Sequence, residues 1–318
     1  MARHVPVLLE ETLRLLEPAL ADGGVCVDAT LGLGGHAEAI LERFADSRVV
    51  GIDRDRGALR LAGERLAPWG DRFVPARGCF ANLGRLLGAL GIPKVRAVLA
   101  DLGVSSMQLD TAERGFSFQN HGPLDMRMAG RAATGDDEPS AAEIVNEYPE
   151  DALATIIKEL GEEKHARRIA RGIAEARRER PIETTEELAS LIAQLKPRAP
   201  RPRSGRRPQH PATQTFQALR MEVNRELDEL HGLLDESVEL LEQDGHLVVI
   251  SYHSLEDRIV KHTLRDLGTP DVEPITGRPR TETQVIEVLT KKPLRPSERE
   301  IAANPRSRSA RMRAARRL

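Results

Sequence analysis

The sequence predicts an α/β fold in which a doubly wound, Rossmann-like parallel sheet is interrupted by an all-helical insertion after its fourth strand. In the first part of the chain, short and almost continuously apolar segments alternate with amphipathic helices, as in a parallel sheet covered on both faces. From about residue 108 to residue 211 only helical periodicity continues. We therefore predict a sheet domain of residues 1–107 and 212–318, and an inserted helical domain of residues 108–211.

The strands predicted before the insertion are short apolar runs, three of which carry an aspartate at or next to their last position. They lie at residues 25–28, 48–53, 73–74 and 95–102. Helices are predicted at residues 35–44, through Leu59 and Leu66, and from Leu83 to Leu90. Open α/β sheets bind ligands at the carboxyl ends of their strands, which is where Asp101 stands.

The insertion begins with a Gly/Pro-rich segment and continues as helices. Leucine and isoleucine recur with helical spacing at residues 153–160 and 188–195, and Thr184 with Glu187 forms a capping box for the second of these helices. Residues 197–211 are rich in Pro and Arg and predict an exposed loop. The remaining predicted elements are one long helix at 213–242, a strand at 247–252, a helix from Leu255, a strand at 284–290 and a seventh strand near Met312.

The composition is typical of a soluble globular protein, with 40% hydrophobic and 30% charged residues among 318. No apolar run approaches the roughly 18 residues of a membrane helix, and the first residues do not resemble a signal peptide. Cys26 and Cys79 stand far apart, and the nine histidines form no ligand cluster. We therefore expect a cytoplasmic protein, monomeric or homodimeric, with no membrane association and no metal.

Positive charge is concentrated in two segments, although the net charge is only −2. No acid occurs from Leu188 to Met221, a segment that includes the arginine-rich residues 198–207, and none occurs after Pro305, where six residues are Arg. Local positive charge attracts a phosphate backbone. These segments therefore suggest a nucleic-acid partner, although a solvated loop and tail would have the same composition.

A glycine-rich loop, residues 28–37, follows the first strand and precedes a helix, so its backbone amides can approach a ligand closely. Its Gly-x-Gly-x-x-Ala pattern from Gly32 also fits the dinucleotide fingerprint of a nicotinamide-dependent oxidoreductase. Asp28 favours S-adenosyl-L-methionine instead, because its carboxylate would bind the ammonium group of that ligand and repel a pyrophosphate. Asp53 ends the second strand, where it can accept hydrogen bonds from two ribose hydroxyls of either ligand.

Ordered motifs along almost the whole chain resemble one family. Besides the loop at 28–37, they are GIDRD at 51–55, DLGVSSMQLD at 101–110, RGFSF at 114–118, GPLDMRM at 122–128, GEEKHARRIA at 161–170, HPATQTFQALR at 210–220, SYHSLEDRIVK at 251–261 and NPRSRS at 304–309. This series resembles the RsmH (also called MraW) family of ribosomal RNA methyltransferases. The resemblance implies a class I methyltransferase-like fold. It also implies that S-adenosyl-L-methionine is used to methylate the exocyclic amine of one cytidine in the decoding region of bacterial 16S rRNA, in the small ribosomal subunit.

The resemblance further implies a set of residues that bind the methyl donor. They are Gly34, Gly35 and His36 in the glycine loop, Asp53 at the ribose, Phe80 near the adenine, and Asp101 and Gln108. Phe80 lies in a looser match at residues 78–82, in which Asn82 is the alternative. The inserted helical domain is expected to recognise the RNA.

Asp101 and Tyr252 are the candidate catalytic residues. The cytidine amine is a poor nucleophile because its lone pair is delocalised into the ring, and a carboxylate that accepts its proton would activate it. Amino-methyltransferases usually carry an Asp/Asn-Pro-Pro-aromatic motif at this strand end, whereas residues 101–104 are Asp-Leu-Gly-Val. Asp101 therefore either activates the amine or holds the donor, and Tyr252 either stacks on an extruded base or caps the strand edge. A non-catalytic rRNA-binding assembly factor is the remaining alternative to an enzyme.

Overall fold

The computed structural model describes residues 5–119, 121–130, 138–197, 210–274 and 276–318. The chain forms two compact units, which we call the sheet unit (Met1–Gly103 with Leu227–Leu318) and the helical unit (Val104–Glu226). The arginine-rich segment predicted to be an exposed loop, residues 198–207, lies outside the described residues.

The first half of the sheet unit alternates strands and helices as the sequence predicts. Its elements are α1 (Leu9–Leu20), β1 (Gly24–Asp28), α2 (Gly35–Arg43), β2 (Ser47–Asp53), α3 (Arg56–Leu66), β3 (Phe73–Arg77), α4 (Leu83–Ala89) and β4 (Val95–Asp101). Apolar residues of β1, β2 and β4 are buried on both faces of the sheet, which explains why these strands are apolar at almost every position.

The helical unit follows β4 and has its own hydrophobic core. Its helices are α5 (Ser106–Asp110), α6 (Ala141–Glu147), α7 (Glu150–Glu159), α8 (Ala166–Glu179), α9 (Thr185–Leu195) and α10 (Thr213–Asn224). The helices α5, α6 and α9 each begin with a capping box, and the one formed by Thr184 and Glu187 is the box that the sequence predicts. Their apolar faces meet in one cluster of buried side chains.

The prediction of one long helix over residues 213–242 is wrong. The chain forms α10 and then α11 (Glu226–Leu240), and Arg225 between them adopts a left-handed conformation with φ of 48°. The apolar side chains of α10 belong to the core of the helical unit, whereas those of α11 belong to the core of the sheet unit. The boundary after the insertion therefore lies at Glu226 and not at residue 211, because a continuous apolar periodicity does not reveal which of two cores each part of it joins.

The second half of the sheet unit completes a seven-stranded sheet. After α11 come β5 (Leu241–Ser251), α12 (Ser254–Leu267), β6 (Asp271–Val272), β7 (Pro279–Arg280), β8 (Ile286–Val288), α13 (Glu298–Ala303) and β9 (Arg311–Arg317). The sheet order is β3-β2-β1-β4-β5-β9-β8, and β6 pairs with β7 in a separate hairpin. The strands from β3 to β5 are parallel, and β9 runs antiparallel to both of its neighbours. In the part of the chain that the structure describes, no helix has both the length and the apolar character needed to cross a bilayer.

Four of the six arginines of the tail lie in the strand β9. Asp257 binds Arg311 and Arg313, while Arg316 binds Asp244 and Glu287. Three of the six tail arginines therefore serve the fold through ion pairs inside the sheet unit, and they are not all available to bind phosphates as the sequence suggests.

Candidate active site

Three aspartates lie at neighbouring strand ends on the carboxyl edge of the sheet, which we call the acid edge. β1 ends at Asp28, β2 ends at Asp53 and β4 ends at Asp101, and β1 lies between the other two strands. Each aspartate follows a buried apolar strand, so the core fixes where its carboxylate lies. The carboxyl edge of an open α/β sheet is where ligands bind, as predicted for Asp101.

The glycine loop connects β1 to α2 and is tied to the end of β2. Gly32 and Gly34 have positive φ angles of 52° and 75°, which residues with side chains rarely adopt. A Cβ atom at Gly34 would also lie 3.0 Å from Cδ1 of Leu66 on α3, so a side chain there would displace the core. The amide of Gly32 donates a hydrogen bond of 2.9 Å to Oδ2 of Asp53. The loop is therefore held close to the strand end on which a ligand would rest.

Both carboxylate oxygens of Asp53 accept a backbone amide. Oδ2 accepts from Gly32, and Oδ1 accepts from the amide of Asp55 at 2.8 Å. Burial raises the pKa of Asp53 to about 6, and the amide hydrogen bonds oppose this shift. Because each carboxylate oxygen can accept two hydrogen bonds, Asp53 retains acceptor capacity for a pair of hydroxyl groups.

Asp28 is a buried carboxyl group, with only 1% of the residue exposed. Its Oδ1 accepts the amide of Thr30 at 3.3 Å. Burial raises the pKa of Asp28 to about 7, and the nearby charge of Asp53 contributes to the shift. Among the described residues, no Lys or Arg forms an ion pair with any of the three aspartates of the acid edge. A cationic ligand would supply the missing countercharge and stabilise the ionised carboxylates.

Asp101 is held by two neighbours from other elements. The hydroxyl of Tyr252 donates to Oδ1 at 2.8 Å, and Oδ2 lies 3.8 Å from Nδ1 of His36. Burial raises the pKa of Asp101 to about 7; the Tyr252 hydrogen bond opposes this shift, while the charges of Asp28 and Glu256 add to it. The side chain keeps 23% of its surface exposed, so a substrate can reach it.

His36 lies in the first turn of α2 and faces Asp101 with a defined ring nitrogen. Its Nε2 lies 3.1 Å from the carbonyl oxygen of Val7, which can only accept a hydrogen bond. The proton of a neutral ring is therefore on Nε2, and Nδ1 presents a lone pair to Asp101. The contact of Nδ1 with Oδ2 is favourable when a proton resides on either group.

Tyr252 follows β5 and donates its hydroxyl proton to Asp101. Burial and the charge of Asp101 raise the pKa of Tyr252 well above its ordinary value, so the hydroxyl remains a donor. The backbone amide of Tyr252 donates to Oε2 of Glu256 at 2.9 Å. His253 is the N-cap of α12 and forms a capping box with Glu256, which is a structural role.

The other predicted donor-binding residues lie in separate parts of the molecule. Phe80 is half-buried in a turn that follows β3, the neighbour of β2, and it packs against the core of the sheet unit. Asn82, the alternative to Phe80, ends the same turn. Gln108 belongs to the helical unit, where its Oε1 accepts the amide of Ser105 at 2.9 Å and completes the capping box of α5. The structure thus places His36, Asp53, Asp101 and Tyr252 at the carboxyl edge of the sheet in the sheet unit.

Sequence reasoning did not identify several residues that support the acid edge. Thr30 accepts the amide of Asp101 through its hydroxyl at 2.6 Å, and Glu256 holds the backbone of Tyr252. Arg54, next to Asp53, forms a half-buried ion pair of 3.1 Å with Glu229 on α11. Burial and the proximity of Glu229 raise the pKa of Cys79 to about 12, so this thiol stays protonated. Thr30 inside the glycine loop and Glu256 in the capping box after Tyr252 carry a local signal in the sequence, whereas Glu229 is remote in sequence from Arg54.

The sheet order and the site together define a class of protein. Numbered along the main sheet, the strand order is 3-2-1-4-5-7-6 with an antiparallel seventh strand, which is the arrangement of class I methyltransferases. The glycine loop after the first strand and the aspartate at the end of the second occupy the expected cofactor positions of that fold.

The particular family follows from sequence comparison. The model of the MraW methylase family matches residues 1–318, and the chain belongs to this family. The ribosomal RNA small subunit methyltransferase H of Carboxydothermus hydrogenoformans is 48% identical over 322 aligned positions, which cover 99% of this chain and 98% of the relative. The protein of the same name from Thermobifida fusca is 47% identical, covering 99% of this chain and 93% of the relative. The predicted family is thus confirmed. The chain is a methylase, and this finding rules out the two alternatives, a nicotinamide-dependent oxidoreductase and a non-catalytic assembly factor.

Proposed function

We propose that this methyltransferase transfers the methyl group of S-adenosyl-L-methionine to the exocyclic amine of one cytidine in the decoding region of 16S rRNA. The relatives named as ribosomal RNA small subunit methyltransferases support the substrate class. The observation that carries the choice of donor is the acid edge, where three carboxyl groups lack a Lys or Arg partner among the described residues. S-adenosyl-L-methionine is cationic at its sulfonium and ammonium groups, so it matches this charge, whereas a pyrophosphate would be repelled.

The donor would be held by backbone and carboxylate groups of the sheet unit. Gly34, Gly35 and His36 would bind the donor at the start of α2. Asp53 would accept hydrogen bonds from the ribose hydroxyls, and Phe80 would lie near the adenine. Gln108 of the helical unit completes the proposed set, and Asp28 is the acid for the ammonium group. When bound, S-adenosyl-L-methionine supplies a methyl group already activated by its sulfonium.

Asp101 is proposed to activate the amine. Tyr252 occupies Oδ1, which leaves Oδ2 to accept a proton of the cytidine amine. As the nitrogen–carbon bond forms and the bond between the methyl carbon and the donor's sulfur breaks, the amine would lose this proton to Asp101, so that no positive charge remains on its nitrogen. His36 Nδ1, at 3.8 Å from Oδ2, could receive the proton afterwards. The remaining role of the enzyme is to align the reacting atoms.

The helical unit is proposed to recognise the RNA. The exposed side of α8 and the residue before its cap are strongly basic, with Lys164, Arg167, Arg168, Arg171 and Arg178 all exposed. Such a surface attracts a phosphate backbone independently of base sequence. Because the substrate belongs to the small ribosomal subunit, we propose that the protein acts in the cytoplasm.

The proposal is tested with rRNA from cells that lack the protein. We expect calorimetry to show binding of S-adenosyl-L-methionine and not of NAD. We also expect the purified protein to add one methyl group to the N4 atom of a single cytidine, mapped by mass spectrometry of nuclease fragments. Methylation of a ring carbon or of another base would contradict the proposed chemistry.

A further inference from the structure

A cavity of about 250 Å³ lies between the C-terminal half of α12 and the strands β8 and β9. Four cations and two threonines line it: Lys261, Arg265, Lys291, Arg313, Thr269 and Thr290. None of them belongs to the acid edge. The cavity is smaller than the roughly 300–1,000 Å³ of most small-molecule sites. Its size therefore suits a small anionic group carried on a longer chain better than a free cofactor.

Charge in this cavity is only partly balanced. Asp257 accepts Nε of Arg313 at 2.7 Å and Nη1 of Arg311 at 3.0 Å, so one carboxylate serves two guanidinium groups. Arg265 pairs with Asp266 at 2.7 Å. Lys261 and Lys291 are exposed, and neither forms an ion pair with a carboxylate of the described residues. The cavity therefore retains an excess of positive charge.

The distance to the acid edge suits a strand of nucleic acid. Asp101 of β4 is in register with Ile250 of β5, which is in register with Met312 of β9, the residue before Arg313. Neighbouring strands are about 4.8 Å apart, so Met312 lies about 10 Å from Asp101 across the sheet. The cavity extends past β9 to β8, so it lies at least this far from Asp101, and at a rise of about 3.4 Å per nucleotide the distance corresponds to three or more stacked nucleotides.

We propose that this cavity, with Lys261 and Lys291 as its unpaired cations, binds a backbone phosphate of the RNA substrate a few nucleotides from the methylated base. This inference rests on the proposed function, because it takes RNA to be the substrate reached by Asp101. The cationic lining favours a polyanion over a protein partner. Guanidinium and ammonium groups bind phosphate through charge-assisted hydrogen bonds, and the threonine hydroxyls can donate as well.

The test compares a double lysine variant inside the cavity with a single lysine variant beside it. In Lys261→Gln/Lys291→Gln both unpaired cations are removed, whereas Lys292→Gln removes an exposed neighbour of Lys291 that does not line the cavity. Binding of transcribed 16S rRNA is measured from about 0.1 to about 1 M salt. Each lost phosphate contact lowers the slope of log affinity against log salt by roughly 0.7–0.9. The double variant loses this one phosphate contact, so we expect it to bind roughly five- to eightfold more weakly at 0.1 M salt, with the difference vanishing near 1 M.

Three controls separate the outcomes. Calorimetric binding of S-adenosyl-L-methionine and the thermal midpoint of the double variant should equal those of the wild type. A double variant with the salt slope of Lys292→Gln overturns the cavity proposal. A loss of affinity seen for assembled subunits but not for naked rRNA also overturns it, because a ribosomal protein would then be the partner. If the wild type methylates no rRNA, the proposed function fails whatever the lysine variants do.

Discussion

Two sites of the sheet unit carry opposite charge and expose it to water to different degrees. At the acid edge, burial raises the pKa of Asp28, Asp53 and Asp101 towards neutrality. In the cavity beside β9, Lys261 and Lys291 remain exposed. The strand β5 lies between β4, which carries Asp101, and β9, which carries the cavity residue Arg313.

This difference indicates two kinds of ligand. A buried charge without a partner is costly, so such a site is stable mainly when a ligand supplies the countercharge. Exposed cations cost little to maintain, and they attract a polyanion by releasing its bound counterions. The acid edge thus suits a small cation bound at close range, whereas the cavity suits a long polyanion. The following variants test which residues of the acid edge serve donor binding and which serve methyl transfer.

The largest expected effect is on catalysis by Asp101→Asn. Asparagine keeps the shape and one acceptor oxygen but cannot take the amine proton. We expect the single-turnover rate at saturating S-adenosyl-L-methionine to fall by about a hundredfold or more, as for other lost transition-state contacts. Asp22→Asn, an exposed aspartate after α1, is the matched control and should behave as the wild type. Full recovery of the rate at high donor concentration would assign Asp101 to holding the donor.

Asp53→Ala should weaken donor binding and leave the saturated rate nearly unchanged. Hydrogen bonds to a charged group contribute roughly 1.5–3 kcal/mol each. Because about 1.4 kcal/mol of binding free energy corresponds to a tenfold change in the dissociation constant, we expect that of S-adenosyl-L-methionine to rise by roughly ten- to a hundredfold. Loss of the Gly32 contact would add to this effect. Calorimetry measures it, and unchanged affinity would refute the assignment of Asp53 to the ribose.

The pH dependence of catalysis should report the burial of Asp101. Only the ionised carboxylate accepts a proton, and burial raises the pKa of Asp101 to about 7, above the ordinary value of 3.8. The ionised fraction therefore rises with pH, and kcat/KM should fall about tenfold per unit below about pH 7. A bound cationic donor favours the ionised form, so the acid limb of kcat should lie at lower pH. An acid limb that persists in Asp101→Asn would show that another group titrates.

Tyr252→Phe should have the smallest effect and should separate two roles of the ring. Losing one net hydrogen bond of about 0.5–1.5 kcal/mol predicts a rate decrease of up to about tenfold. Because the Tyr252 hydrogen bond lowers the pKa of Asp101, its removal should move the acid limb to higher pH. A wild-type rate with an unmoved limb would favour stacking on an extruded base, which phenylalanine also provides.

Helix and strand positions could be predicted where local patterns suffice. The strands β1, β2 and β4 and the second half of β5 are largely apolar because both faces are buried, and the Thr184 capping box marks the start of α9. The break at Arg225 escaped prediction because the apolar spacing continues across it. The apolar faces of the two resulting helices are buried in different cores, and the periodicity does not indicate which core each face joins.

The sequence by itself determined that Asp28, Asp53 and Asp101 stand at the ends of apolar strands and that a glycine loop follows the first of them. Only the tertiary structure decided that these three strands are neighbours, because strand order depends on how the helices connect and pack. Only the tertiary structure decided that Tyr252 donates to Asp101 across 151 residues of sequence. It also decided that Asp257 engages the tail arginines Arg311 and Arg313, while Lys261 and Lys291 stay exposed in the cavity with no carboxylate partner among the described residues. Such pairings depend on which side chains meet when the sheet and the helices pack. Two groups far apart in sequence can form an ion pair or a hydrogen bond only when this packing brings them together.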